Sequence, residues 1–176
     1  MIIKIMRNKK FLYVLGSVLF LALIAIYVYI TWPHRIVKEL NGIEYSQEDK
    51  ALCEPVSVKI HGTMKQALTG GRVFTGTIEL RKTDLALPDQ KLTLSFDKVD
   101  WSSLTFRDLE GEFYDYGEMF ADEEMNKIVI VEPDPGNSTD AAATCSILAF
   151  PAEDRAEAEK LTLAYFKNEK NYYFGN

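Results

Sequence analysis

From Phe11 to Trp32 the chain carries apolar, aromatic and small residues and no charge. At about 1.5 Å of rise per residue, a helix over this stretch is roughly 33 Å long, enough to cross a hydrocarbon core of about 30 Å. A helix satisfies its own backbone in lipid, whereas a lone strand leaves its edges unpaired. The pattern therefore predicts one transmembrane signal-anchor helix over residues 11–32. Tyr27, Tyr29 and Trp32 fall at its far end, where amphipathic rings prefer the headgroup layer, and are read as membrane-interface residues. Pro33 suits the first turn of a new helix, so Ile36, Val37 and Leu40 are expected as a short helical continuation. The polar run from Asn41 to Leu52 reads as a linker.

Past the linker the apolar period changes to two, the mark of half-buried strands. Val56, Val58 and Ile60 alternate with Ser57 and Lys59, and Pro55 places the start of that strand at an edge. Gly70-Gly71 marks a turn. A strand then runs from Arg72 to Arg81 with Phe74, Gly76, Ile78 and Leu80 on one face. Leu92, Leu94 and Phe96 make another after a turn at Pro88-Asp89-Gln90. Asp97 to Asp100 turns the chain into Trp101–Phe106. Shorter strands are expected at Glu118–Ala121, Lys127–Val131 and Thr144–Phe150, with a loop through Pro133–Asn137 and Ala141–Ala143. Asp154 followed by Glu157 fits a capping box, and Ala158, Leu161 and Tyr165 then share one face of a helix. The aromatic tail from Lys170 to Asn176 reads as a final strand or an edge cover.

The fold class that follows is mainly β, an antiparallel sandwich, barrel or rolled sheet, with one C-terminal α-helix and a single N-terminal transmembrane helix. Four segments result: a basic tail (1–10), the anchor (11–32), a juxtamembrane segment and linker (33–52), and an extracytoplasmic β-rich domain (53–176).

Charge sets the orientation. Lys4, Arg7, Lys9 and Lys10 precede the anchor, while only Arg35 and Lys38 follow closely. The positive-inside bias puts the N-terminus in the cytoplasm and the domain outside, at the cell membrane. A cleaved signal peptide is the rival reading; its apolar region is shorter and ends at a small-x-small site, which Tyr-Ile-Thr-Trp-Pro does not supply. Residues 1–39 carry six Lys/Arg against one Glu, and the rest carries 14 Lys/Arg against 25 Asp/Glu. So acidic a domain repels phosphate backbones, which argues against nucleic-acid partners.

Cys53 and Cys145 are the two cysteines. In an oxidising compartment they are expected to pair, a closure worth about 4 to 5 kcal/mol in the loop-entropy model; the alternative is two separate thiols. His34 and His61 lie in no metal spacing, no G-x-S-x-G elbow occurs, and no cofactor or metal site is expected. Carboxylates are the one abundant catalytic type. Asp108, Glu110, Glu112, Asp115 and Glu118 crowd a segment with Phe113, Tyr114, Tyr116 and Phe120. Two readings apply: a glycan site with paired acids, or a strand pair with rings inward and acids outward. The second is preferred. Asn137-Ser138-Thr139 is a glycosylation sequon.

The functional expectation is a non-enzymatic binding or interaction module at the outer membrane face, held by the bilayer through residues 11–32. Its expected partner is a membrane protein or envelope component. The alternatives are a carboxylate-based envelope glycan hydrolase and a structural or assembly subunit.

Overall fold

The computed structural model describes residues 9–47, 49–67, 70–82, 91–97, 100–107, 112–132 and 145–166. Six expectations lie outside them: the basic tail ahead of Lys9, the Pro88-Asp89-Gln90 turn, the positions Asp108 and Glu110, the loop from Pro133 through Ala143, the sequon and the tail from Lys170. Two compact units form, Met1–Pro33 and His34–Asn176.

The first unit holds α1 (Lys9–Thr31). Its stretch Phe11–Tyr29 is long and apolar enough to cross a membrane, and none of it is buried. A signal sequence meets the same two criteria. The hydroxyls of Ser17 and Thr31 donate to the carbonyls of Tyr13 and Tyr27, each at 2.9 Å. Both polar side chains are thus satisfied within the helix. Tyr27 and Tyr29 lie in the last turns of α1, Trp32 just beyond it, and all three are exposed.

The second unit is an antiparallel sheet of eight strands: β1 (His34–Ser46), β2 (Cys53–Gln66), β3 (Arg72–Arg81), β4 (Lys91–Phe96), β5 (Trp101–Arg107), β6 (Phe113–Ala121), β7 (Ile128–Glu132) and β8 (Ser146–Phe150). Their order is β4-β3-β2-β1-β8-β7-β6-β5. The sheet curls into a nearly closed barrel, with β4 and β5 flanking the seam. One apolar cluster draws alternate residues from all eight strands and fills the interior, including Phe74, Phe96, Phe150, Met64 and Met119. Gly62 and Gly76 face each other beneath Phe74. A Cβ on Gly76 would lie 2.5 Å from the Gly62 Cα and 2.7 Å from the Phe74 ring.

A second cluster lies on the outer face of β1, β8, β7 and β6 under α2 (Arg155–Phe166). These strands are covered on both sides, which is why β7 and β8 read as unbroken apolar runs. Ala158, Thr162 and Phe166 form the buried stripe of α2, with Leu161 and Tyr165 packed beside it. The cap is as expected at its first bond: the Glu157 N–H donates to Asp154 Oδ1 at 2.9 Å. The return bond is displaced by one residue, since Glu157 Oε2 accepts from Glu153 N at 3.0 Å.

Two expectations are corrected. Residues 34–46 form β1, the strand between β2 and β8, and not a helical continuation followed by a linker. Ile36, Leu40, Gly42 and Glu44 point one way and Ile43 and Tyr45 the other, so the true period is two. The expected disulfide does not form: Cys53 and Cys145 are not bonded to each other, the first being exposed and the second buried. Cys53 pairs with Tyr45 of β1, and β8, which Cys145 precedes, lies on the opposite side of β1. Two strand spacings amount to roughly 10 Å, beyond the roughly 7 Å between Cα atoms that a disulfide spans. Pro55 behaves as expected, pairing with Ile43 beyond the last β2–β3 partner at Ser57. β6 is longer than expected, because the acidic aromatic segment is itself strand from Phe113 onward.

Candidate functional site

The two ends of the barrel differ in chemistry. At the end where β1 starts, the turn 122–127 seals the interior. Its Met125 is fully buried. Asn126 accepts from Lys38 at 2.6 Å, and Glu123 accepts from Gln66 at 2.9 Å. Arg72 anchors the neighbouring turn by donating to Asp100 and, at 2.9 Å, to the Ala121 carbonyl. Side chains from β1, β2 and β3 thus hold the turns at that end, around a polar surface cavity lined by Gln66, Arg72, Asp100 and Glu123.

The other end, where β1 finishes, is polar. Inward positions that are apolar in mid-barrel become Glu44 on β1, Glu132 on β7 and Ser146 on β8, joined by Lys82 just past β3. The Lys82 ammonium bridges Glu44 Oε1 at 3.0 Å and Glu132 Oε2 at 2.5 Å. Ser146 donates to Glu44 Oε1 at 2.7 Å. Glu54 stands directly opposite Glu44 across the β1–β2 ladder and is exposed. Among the described residues the mouth therefore holds three carboxylates and one ammonium. Burial is the main influence on Glu132 and pushes its carboxyl above the usual range, against the lowering pull of Lys82. Its Oε1 is buried without a hydrogen-bond partner among the described residues.

Tyr116 completes the mouth, and a bulge falls there. Leu104 pairs with Gly117 and Thr105 with Asp115, so Tyr116 is the extra residue on β6. A bulge re-aims side chains, and here it shifts the inward parity from Tyr116 to Met119 and Ala121. Gly117 allows this with φ +145°. A Cβ there would run into the Val131 carbonyl, next to Glu132. The Gly117 N–H donates to Asp115 Oδ1 at 3.3 Å, which steadies the bulge. The Tyr116 ring meets Phe106 edge-on at 5.8 Å, and Lys82 Nζ lies 6.0 Å from its centroid. Tyr116 is about nineteen-twentieths buried, and its hydroxyl has no partner among the described residues. Tyr114, two residues earlier and opposite Phe106, keeps the inward direction but is more than half exposed.

The acidic aromatic segment thus divides by face. Tyr114, Tyr116 and Met119 turn inward; Asp115 turns outward and accepts from Ser103 and Gly117; Phe113 is exposed. Phe120 packs under α2, 4.7 Å from Phe166. The preferred reading of rings inward and acids outward holds for Tyr116 and Asp115, while Phe113 departs from it. Glu112 is exposed ahead of β6, and Glu118 is half-buried. The charged residues at the mouth, Glu44, Lys82 and Glu132, were not singled out from sequence. Each is an isolated charge at the end of a strand, and only the closure of the barrel brings them together. Comparison with protein-family models, with curated proteins and with solved structures found no match.

Proposed function

We propose that this chain is a single-pass membrane protein with its N-terminus in the cytoplasm and its barrel outside, where the barrel acts as a non-enzymatic binding module. The observation that carries the reading is the contrast between the two ends of the barrel. The interior is filled by large apolar side chains and Met125 closes it at one end, where Arg72 Nη1 is the unmatched buried atom among the described residues, while the other end collects a buried carboxylate–ammonium cluster with two unmatched oxygens, Glu132 Oε1 and Tyr116 Oη. Mouths of barrels are common recognition sites, with a few placed polar groups supplying specificity. The basic residues ahead of α1 support the orientation, and Tyr27, Tyr29 and Trp32 suit the outer headgroup layer. An acidic surface favours partners with basic or neutral contact faces.

Crosslinking of the full-length chain in its native membrane, followed by mass spectrometry, tests this reading. One reproducible protein or envelope partner, lost when the chain ends at Pro33, is the expected result. Crosslinks to further copies of the chain alone would replace the binding module with an assembly subunit.

A further inference from the structure

We propose that the polar mouth recognises a primary ammonium carried on a slender aliphatic stem, seated between Glu132 Oε1 and Tyr116 Oη. This deepens the binding-module reading and rests on it. Three features converge. First, among the described residues Glu44 and Glu132 hold Lys82 between them and Glu54 stands opposite Glu44, so carboxylates outnumber ammonium groups there. Second, Lys82 takes Oε2 of Glu132 at 2.5 Å and leaves Oε1 unmatched; the Tyr116 hydroxyl is unmatched too, on a ring whose centroid lies 6.0 Å from the same Lys82 Nζ. An ammonium has three donors and no acceptor, so it suits a carboxylate oxygen and a phenol oxygen together. Third, the Tyr116 ring already lies 6.0 Å from one ammonium, that of Lys82, the more exposed Tyr114 is two residues away on the same strand, and aromatic faces attract cations.

The shape of the ligand follows from burial. Both unmatched atoms lie below the surface, while Glu44, Lys82 and Glu132 keep only a tenth to a sixth of their side chains exposed. A broad protein face cannot reach that depth, and a single unbranched stem can. A metal ion is the poorer occupant, since no group of three His, Cys, Asp or Glu among the described residues is arranged to hold one. The ammonium has two sources: a lysine side chain on a partner protein, or a free alkyl diamine.

The test is calorimetric titration of the full-length protein in phosphatidylcholine nanodiscs with two probes, the peptide acetyl-Gly-Lys-Gly-amide and cadaverine. Saturable one-site binding of at least one probe is expected. Glu132→Gln should weaken it roughly tenfold or more, the scale of a charged hydrogen bond. Tyr116→Phe, which keeps the ring and removes one oxygen, should weaken it several-fold, and decides the matter if Glu132→Gln does not fold. Glu39→Gln on the outer wall should change nothing, which separates the site from general charge attraction. Binding of the peptide alone assigns the ammonium to a protein partner, and binding of cadaverine alone assigns it to a free amine. No saturable binding, or equal affinity in wild type, Glu132→Gln and Tyr116→Phe, overturns the proposal. A crosslinked partner that persists unchanged in both variants would leave the binding module standing and remove this site from it.

Discussion

At the scale of single residues, the mouth is defined by unequal treatment of its carboxylates. Glu44 is satisfied twice, by Lys82 and by Ser146, whereas Glu132 shares Lys82 and keeps one buried oxygen unmatched. Burial raises the Glu132 carboxyl, so the folded chain holds its proton more tightly than the unfolded chain. The sign of the pH effect follows: the contribution favours folding below the ordinary carboxylate range and is lost as pH rises through the raised value. Denaturant unfolding across that range should show wild type losing stability relative to Glu132→Gln as pH rises, then a constant difference. A difference independent of pH would mean that Glu132 titrates as an ordinary exposed carboxylate. Tyr45 shows the same physics outside the barrel. Burial under α2 pushes its phenol up to about 12, against the lowering effect of a bond with Thr162.

Among the elements, α2 has the clearest physical account. Its stripe of Ala158, Thr162 and Phe166 covers an apolar surface that β1, β6, β7 and β8 present outward. Arg155 ties its start to the β1–β2 turn, donating to the Ser46 carbonyl at 2.7 Å while its guanidinium lies 5.3 Å from the Tyr45 ring centroid. Phe166, fully buried against Phe120 at the other end, should cost about 3 kcal/mol or more when cut to alanine. Equilibrium unfolding measures this; a loss below about 1 kcal/mol would mean that α2 contributes little to the outer core.

Sequence periodicity read β3 to its ends, because its alternation is complete and Gly70-Gly71 marks its start. It misread β1, because Ile36, Val37 and Leu40 satisfy a helical spacing as readily as an alternating one. The preceding proline and the neighbouring anchor then favoured the wrong choice. Gly42 and the outward Ile43 and Tyr45 were the signals for strand. The charged part of the mouth was illegible for a different reason: Glu44, Lys82 and Glu132 come from distant strands, and no local pattern encodes their meeting. Tyr116 lay inside a segment singled out from sequence and alternates with Tyr114, but the bulge there shifts the inward parity to Met119 and Ala121, which alternation alone does not reveal.

For the whole molecule, the barrel is held by its interior and by α2, without a covalent tie between Cys53 and Cys145. Thiol titration of the native full-length protein should therefore label Cys53 readily and Cys145 only on unfolding. Absence of free thiols after purification without reductant would contradict that arrangement. The central claim is that the polar mouth of an externally displayed barrel meets a partner. A photocrosslinking residue at position 114, compared with one at position 77 on the β3 wall, tests it most directly in cells carrying the full-length chain. The account expects a single recurring partner from position 114 and none from position 77. Capture of the same partners from both positions, or of none from position 114, would contradict it.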